Sequence, residues 1–350
     1  MAKNADCAAL RCEVRQHNMA DAKIGLCIVG CGTFAHAHAH VASQRQERIR
    51  LYFASRSADK AAAYAQHYRA AGSFGSYETA ARDPRVHALL FCTPHALHPQ
   101  HLVLAATAGK HVLMEKPMAT TLEDARTMQA HAQEAGIRFA VAENYRYMPT
   151  LRAATALIRR GTIGPLRGLH LQTTKYQRST GWRLSRAMMG GGALIDAGIH
   201  KLAAIRMMMG DPQQVSAIAP AKVFPEMEGE EAVSLWATFA KGEVATLNYS
   251  WAARGEPGTQ NCLVIGTEGY LQFDFYGASL QLWAAGKREH LTFDADLDGL
   301  GAMLEGFLDL VTQGKPVATP PEEAIRDLQC VFAAYASLAA GGRPVGVARA

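Results

Sequence analysis

The chain has 350 residues, of which 49% are hydrophobic and 19% are charged, and this composition indicates a globular protein of about two domains. The net charge is +5 and the basic residues are scattered, which argues against binding to nucleic acid or to a membrane surface. The seven cysteines form no C-x-x-C pair, so we expect free thiols, a reducing cytoplasmic location and no metal site. No run approaches the roughly 18 apolar residues of a membrane span. Residues 1–22 lack the apolar core of a signal peptide, and we predict a disordered N-terminal extension there, with Met19 as an alternative start.

Residues 23–143 alternate strand-like and helix-like segments, which predicts a doubly wound parallel sheet with right-handed crossovers, a Rossmann domain. The predicted strands are residues 24–29, 49–54, 86–92, 111–114 and 138–141. The predicted helices are residues 33–44, 58–70, 99–108 and 122–135.

Residues 144–350 have a different pattern, in which short turns separate consecutive strands, and this predicts antiparallel pairing. The predicted strands are residues 166–176, 215–221, 232–239, 243–251, 261–266, 270–275 and 280–284. The predicted helices are residues 149–160, 193–209, 301–312 and 321–338. We therefore expect an α+β domain with an open, mainly antiparallel sheet, which binds the substrate.

A G-x-G-x-x-A segment follows the first predicted strand at residues 30–35. Gly30 permits a tight turn, Gly32 lets the backbone approach a pyrophosphate, and an alanine replaces the third glycine, where a small side chain keeps helix and strand close. The helix that begins near Thr33 and Phe34 then directs its free N–H groups at the phosphates. After the first strand of a βαβ series this loop predicts dinucleotide binding; the alternative is a tight turn of some other α/β protein.

The end of the second predicted strand indicates which dinucleotide is preferred. Enzymes that use NAD usually carry Asp or Glu there, as a partner for the ribose 2′-hydroxyl. Here the strand is followed by Ser55 and Arg56, which suit a 2′-phosphate, and the nearest acidic residue is Asp59. We expect NADP as the preferred cofactor and NAD as the alternative, unless Arg56 is only a solvated residue at the start of a helix.

Further motifs identify a family resemblance. They are Glu115-Lys116-Pro117, the glycine-rich segment of residues 191–200, the segment of residues 92–98 and the segment of residues 142–147. In this order after the dinucleotide loop, they resemble the glucose–fructose oxidoreductase / inositol dehydrogenase (Gfo/Idh/MocA) family over nearly the whole chain from residue 23.

The chemistry of these residue types is consistent with the resemblance. Ligands of doubly wound sheets lie at the carboxyl ends of the strands, where Lys116 is expected. Asp196 and His200 are four residues apart, so one face of a helix carries both. A lysine, a carboxylate and an imidazole beside a nicotinamide suit alcohol oxidation, because one group removes the hydroxyl proton and a cation stabilises the developing alkoxide.

The resemblance implies that Lys116 and His200 are the acid/base and orienting pair and that Asp196 positions the substrate hydroxyl or His200. Between the two, we favour His200 as the proton acceptor, because an unperturbed lysine titrates far above neutral pH. The other expected cofactor contacts are Thr93, Pro94, His95, His98, Glu115 and Asn144, with a packing role as the alternative for the two histidines. The expected substrate contacts are Tyr145, Arg146, Tyr176, Trp182 and Arg183. Similar proteins assemble through a flat sheet, which implies a homodimer or homotetramer.

These features favour an NADP- or NAD-dependent dehydrogenase that acts on a sugar, a polyol or a related cyclic alcohol. One alternative is an enzyme that keeps NAD tightly bound and oxidises, eliminates and reduces a sugar in turn. A second alternative is a non-catalytic sensor that binds a dinucleotide. His36, His38 and His40 look like a metal tract, but only the first and third share a helix face, and we predict no metal there.

Overall fold

The computed structural model describes residues 23–253 and 260–348, so the predicted extension of residues 1–22 lies outside the described residues. Within that range, the first sheet has six parallel strands in the order 3-2-1-4-5-6, the order of dinucleotide-binding Rossmann sheets. Its strands are β1 (Ile24–Val29), β2 (Ile49–Ala54), β3 (Gly72–Phe74), β4 (Ala88–Phe91), β5 (His111–Glu115) and β6 (Phe139–Ala142). Its helices are α1 (Ala35–Ser43), α2 (Ala58–His67), α3 (Tyr77–Arg82), α4 (His98–Thr107) and α5 (Leu122–Glu134).

Local sequence explains these elements. Strands β1 and β4 are buried throughout, as apolar parallel strands covered on both faces must be. Ser57 accepts the backbone N–H of Lys60 at the start of α2, and Thr121 accepts that of Asp124 at the start of α5. Each of these hydroxyl groups satisfies a backbone donor that the helix leaves free. Strand β3 and helix α3 were not predicted from the sequence.

The second sheet confirms the predicted mainly antiparallel domain. In the described part of the chain it has nine strands in the order 14-13-12-11-7-10-9-8-15, and β7 and β10 are its parallel pair. Its helices are α6 (Pro149–Arg159), α7 (Arg186–Met189), α8 (Ile199–Met209), α9 (Leu300–Gln313) and α10 (Pro321–Ala339). Its strands are β7 (Leu166–Thr174), β8 (Gln214–Ile218), β9 (Ala232–Thr238), β10 (Val244–Ser250), β11 (Gln260–Gly266), β12 (Gly269–Asp274), β13 (Ser279–Ala284), β14 (Lys287–Thr292) and β15 (Val345–Gly346).

Helix α9 follows the second sheet in the chain but packs on the first sheet. Its buried side chains Leu304, Phe307 and Leu308 share one apolar cluster with residues of β1 and α1. Arg48 reinforces this contact, because its guanidinium pairs with Glu305 and lies 2.8 Å from a carboxylate oxygen of Asp309 on α9. The chain therefore returns to the Rossmann domain after it has formed the second sheet.

The outer face of the second sheet carries exposed aromatic side chains, among them Trp236 and Trp283, at 65% and 42% exposure. Helix α10 packs on the opposite face, where Ser337 accepts the backbone N–H of Ala217 at 2.9 Å. Assembly through the outer face stays a prediction. In residues 23–253 and 260–348, we find no helix whose length and apolar character would let it cross a membrane.

Candidate active site

The turn between β1 and α1 leaves space for a ligand at the carboxyl end of the first sheet. Gly30 has a φ of 96°, and a Cβ atom there would lie 2.6 Å from the carbonyl oxygen of Cys92. A Cβ atom on Gly32 would meet nothing within 4 Å. Thr33 and Phe34 are exposed at the open N-terminus of α1. Because Gly32, Thr33 and Phe34 are exposed before the N-terminus of α1, the loop fits a pyrophosphate.

A cavity of about 520 Å³ opens beside the ends of β2 and β4, and Arg56 lines it. Other lining residues are Ser76, Tyr77, Glu78 and Pro94. Ser55 is buried, and its hydroxyl accepts the backbone N–H of Ser57 at 3.2 Å. Arg56 therefore supplies a cation to this cavity, while Ser55 shapes the turn that precedes it.

Lys116 ends β5 and reaches across to the second domain. A cis peptide bond joins it to Pro117, and its ammonium group donates to the backbone carbonyl of Asp196. The preceding Glu115 turns the other way and lies 2.5 Å from Nε2 of His38 on α1. Glu115 thus ties β5 to the first helix rather than pointing into the cleft.

The residues after β4 support the backbone around Lys116. Burial lowers the pKa of His98 to about 3, so its ring is neutral and carries one N–H. The two ring nitrogens lie 2.9 Å from the carbonyl of Pro117 and 3.0 Å from that of Thr93. The Thr93 hydroxyl in turn contacts His101 at 2.9 Å. Because the neutral ring has one N–H, His98 donates to one of these two carbonyl oxygens and packs against the other. Its contact with a cofactor stays a prediction.

His200 is paired with a carboxylate that the sequence reading did not select. Its Nδ1 lies 2.6 and 2.8 Å from the two carboxylate oxygens of Glu143, which follows β6. The imidazole stacks on the ring of Tyr145, with ring centroids 4.4 Å apart and an interplanar angle of 9°. Because Nδ1–H is donated to Glu143, the Nε2 lone pair is left for a ligand.

Electrostatics keeps this pair in the form a base requires. Burial lowers the pKa of His200, and Lys116 adds to this, although Glu143 acts in the opposite direction. Burial alone would raise the pKa of Glu143, but His200, Arg146 and Lys116 together outweigh it and the pKa falls. At neutral pH the pair is therefore a carboxylate beside a neutral imidazole.

Asp196 occupies a separate position between Arg183 and His95. Nε of Arg183 lies 3.2 Å from Oδ2, and Nε2 of His95 lies 3.3 Å from Oδ1. Burial would raise the pKa of Asp196, but Lys116, His95 and Arg183 together lower it well below the usual range. Asp196 is therefore a permanent anion, and the carboxylate that contacts His200 is Glu143 and not Asp196.

His95 and Trp182 close the same side of the cleft. His95 lies 2.9 Å from the carbonyl oxygen of Met189, and its ring meets that of Trp182 edge-on at 4.7 Å. Arg183 lies over the indole of Trp182 at 4.4 Å. The structure thus brings His95, Trp182 and Arg183 to Asp196, as contacts between the two domains.

The predicted helix over residues 193–209 begins with a π-helical turn, Leu194–Gly198, before α8. The glycines before it are required by packing, because a Cβ on Gly192 would lie 2.0 Å from the carbonyl oxygen of Glu230. The π turn changes the angle between Asp196 and His200 from that of a regular α-helix. This accounts for their separate partners.

Two buried or half-buried lysines lie near this cluster: Lys201 was not predicted from the sequence, whereas Lys175 lies on a segment that was expected to face the cleft. Lys201 is fully buried, and its ammonium group donates to the Tyr145 hydroxyl at 3.1 Å and lies 3.8 Å from the ring centroid of Phe275. Lys175, after β7, lies over the ring of Trp251 at 5.3 Å, and burial lowers its pKa to about 8. The position of Lys201 within an apolar helix gave no sequence signal of its own.

The structure does not bring three predicted site residues into this cluster. Asn144 donates to the carbonyl of Asp298 at 2.7 Å, which ties the domain junction to the loop before α9. Tyr176 is 42% exposed and packs edge-on against Phe224. Arg146 points away, and its guanidinium contacts the carboxylate of Asp327 at 2.9 Å. We therefore correct the expectation that Arg146 faces the substrate.

The histidines of α1 have separate partners. His36 stacks on Tyr64, His38 contacts Glu115, and His40 contacts Gln44. Among the residues that the structure describes, no group of three or more His, Cys, Asp or Glu side chains is arranged to hold a metal ion.

Family models match both domains. The model of an oxidoreductase family with an NAD-binding Rossmann fold matches residues 24–143, and that of the GFO/IDH/MocA C-terminal domain matches residues 151–272. Together they cover more than half of the chain. The chain belongs to the Gfo/Idh/MocA oxidoreductase family. The resemblance stated from the sequence motifs is thereby confirmed.

Two curated relatives and one solved structure show the range of this family. The chain is 34% identical to 1,5-anhydro-D-fructose reductase of Ensifer adhaerens over 221 residues, 62% of this chain and 66% of that protein. It is 33% identical to trans-1,2-dihydrobenzene-1,2-diol dehydrogenase of Bos taurus over 180 residues, 50% of this chain and 52% of that protein. The matched part therefore spans between half and two thirds of these relatives. The structure of GenD2 from gentamicin A biosynthesis in complex with NAD superposes with a TM-score of 0.82 at 26% identity, over 93% of this chain and 97% of GenD2.

Proposed function

We propose that this Gfo/Idh/MocA member is a dehydrogenase or reductase that interconverts a secondary alcohol and a ketone on a sugar, a polyol or a related cyclic alcohol. The observation that carries the proposal is the meeting of Lys116, Asp196 and the His200–Glu143 pair at the carboxyl end of β5, beside the dinucleotide loop. The reductase and diol dehydrogenase among its relatives act on substrates of this class by name.

Each side chain of the cluster has a separate role in the proposed reaction. A bound nicotinamide supplies the group that accepts or returns the hydride. His200 takes the hydroxyl proton on Nε2, because Glu143 holds the other nitrogen as an N–H donor. The Lys116 ammonium group lies at the same side of the cleft and stabilises the developing charge on the substrate oxygen. Asp196 is held in place by its cations and orients the neighbouring hydroxyl groups of the substrate.

We further propose a preference for NADP over NAD, since Arg56 lines the cavity beside β2. A guanidinium there forms charge-assisted hydrogen bonds with a 2′-phosphate. Arg56→Gln should weaken NADP binding while leaving NAD binding nearly unchanged, as measured by fluorescence titration of each reduced cofactor. Equal losses for the two cofactors would contradict this preference. Arg82, an exposed arginine outside this cavity, offers the matched control Arg82→Gln.

The activity is tested with a panel of sugars, polyols and cyclic diols, in which reduced cofactor is followed by absorbance with NADP and with NAD. Reduced cofactor in equal amount to oxidised substrate supports the proposal, and Lys116→Ala and His200→Ala should each abolish most turnover. Product formed without net cofactor change would indicate the redox-cycling alternative instead. Dinucleotide binding without turnover of any substrate would favour the sensor.

A further inference from the structure

A second cavity lies apart from the catalytic cluster. It has a volume of about 1040 Å³ and is bordered by α6, the C-terminal end of α8 and the loop that leads into α10. Its lining includes none of Lys116, Asp196 and His200. No step of the proposed reaction uses it.

Arginine is the only cationic residue type that lines this cavity. The six arginines are Arg146, Arg152, Arg159, Arg160, Arg206 and Arg326. Guanidinium groups are planar forks that remain charged and match the geometry of carboxylate and phosphate oxygens, which ammonium groups do not. The lining is therefore suited to oxyanions in particular rather than to negative charge in general.

Three of these arginines are held by carboxylates. Arg206 contacts Asp211 at 2.6 Å and Glu323 at 3.0 Å, and it also pairs with Asp327. Arg146 contacts Asp327 at 2.9 Å, while Arg326 pairs with Glu323. Three cations are thus balanced by three anions, and this network forms a rigid floor.

The other three arginines lie on α6 and at its C-cap, Arg160, and have no such balance. Arg152, Arg159 and Arg160 are exposed, and within residues 23–253 and 260–348 no carboxylate pairs with them. Their spacing of seven and eight residues places them along one side of the helix. The cavity therefore has an excess of three positive charges.

One buried atom also lacks a partner. Nε of Arg146 has no hydrogen-bond acceptor among the described residues, although Arg146 is 8% exposed and its other end is paired. A buried donor without an acceptor is costly, and an acceptor atom of a bound ion, ligand or water would satisfy it. This observation is independent of the excess charge and indicates the same kind of ligand.

We propose that this cavity binds a small, multiply charged oxyanion, of the polyphosphate or polycarboxylate class. The paired arginines form its floor, and the side chains of Arg152, Arg159 and Arg160 supply the unbalanced charge around the ligand. The concave shape and volume accommodate a molecule with several charged groups. This site is separate from the dinucleotide loop and does not depend on the proposed activity.

The test is isothermal titration calorimetry of the full chain with pyrophosphate and with citrate, at constant ionic strength. We expect one saturable site per chain in this cavity, and the tighter of the two probes identifies the class. The double variant Arg159→Gln/Arg160→Gln should weaken binding by roughly tenfold or more, because it removes two of the three guanidinium groups that no carboxylate balances. Neither variant position forms an ion pair among the described residues, so folding should be unchanged.

Arg167 is exposed on β7, outside the cavity, and Arg167→Gln is the matched control. An equal loss in this control would mean that only the overall charge matters and would overturn the proposal. Absence of saturable binding with both anions would also overturn it. Pyrophosphate can in addition occupy the dinucleotide loop, and binding that Gly30→Ala removes but the double variant retains would place the anion there and contradict the proposal.

Discussion

Replacement of Glu143 by glutamine tests the role assigned to the His200 pair. Glu143 and His200 are 2% and 9% exposed, so solvent does little to screen the carboxylate from the imidazole 2.6 Å away. Glutamine keeps the shape and an acceptor oxygen but removes the charge. A hydrogen bond to a charged group contributes about 1.5–3 kcal/mol and a neutral one about 0.5–1.5 kcal/mol. His200 becomes positive in the transition state, and the weaker hydrogen bond from glutamine then stabilises it less, by about 1.4 kcal/mol. This loss should lower kcat roughly tenfold.

The same variant has a second consequence with a defined sign. Because Glu143 raises the pKa of His200 against the effect of burial, its neutralisation lowers that pKa further. The acidic limb of kcat/KM for alcohol oxidation should therefore move to lower pH in Glu143→Gln. Absorbance of reduced cofactor, followed across pH with a substrate from the panel, measures both effects.

Glu231 provides the matched control for this measurement. It is also 2% exposed, and it accepts the backbone N–H of Phe224 at 2.8 Å, away from His200. Glu231→Gln should leave both kcat and the pH profile unchanged. The reasoning is refuted if Glu143→Gln retains the wild-type kcat and acidic limb, or if Glu231→Gln shows the same loss.

Three further predictions concern cofactor binding and stability. Gly30→Ala places a Cβ 2.6 Å from a carbonyl oxygen at positive φ, so it should weaken dinucleotide binding in a fluorescence titration; unchanged affinity would contradict the tight turn. Asp327→Ala removes the buried partner of Arg146 and Arg206 and should lower the free energy of unfolding by about 3–5 kcal/mol. Urea titrations measure this loss, and a loss below that of a typical surface substitution would refute the network. Burial holds the pKa of His98 at about 3 in the folded chain, below the 6.5 of a free histidine, so the unfolded chain binds more protons and stability falls as pH drops from 6.5 toward 3. A Tm that stays constant over this range in calorimetry would contradict the buried neutral imidazole.

The Rossmann half was predictable because its strands are continuous apolar runs. The bounds predicted for β1 and β2 agree with the structure, since buried parallel strands need no alternation to be recognised. Gly72–Phe74 was missed because three residues with one buried side chain carry no periodic signal. Strand Lys287–Thr292 was missed for a related reason: it is exposed and charged, and only its pairing with β13 makes it a strand.

The position of Glu143 in the sequence could have identified it as a residue of the site. Glu143 directly follows β6, and β6 pairs in parallel with β5, which ends beside Lys116. Carboxyl ends of neighbouring parallel strands meet at one edge of the sheet, so a polar residue there is expected near Lys116. The spacing of Asp196 and His200 instead suggested that these two would contact each other, because a π turn cannot be recognised from spacing alone.

The direction of the Arg146 side chain, by contrast, could not be predicted from the sequence. It follows Tyr145, whose ring stacks on His200, and proximity in sequence favoured a shared role at the cleft. Both lie in the short 3₁₀ helix Asn144–Tyr147, where successive side chains point about 120° apart. Which of the two faces the cleft depends on Asp327, a partner 181 residues away in sequence. Only the tertiary structure supplies that information.

The same geometry allows a choice between the two candidate proton acceptors. Nζ of Lys116 donates to the carbonyl oxygen of Asp196, which places it as a hydrogen-bond donor in the cleft. His200 gives its Nδ1–H to Glu143, and burial lowers its pKa, so Nε2 carries an available lone pair at neutral pH. A proton that moves to Nε2 creates an imidazolium directly against the Glu143 carboxylate, whose oxygens lie 2.6 and 2.8 Å from Nδ1. We infer that His200 accepts the proton and that Lys116 stabilises the oxygen from which it leaves.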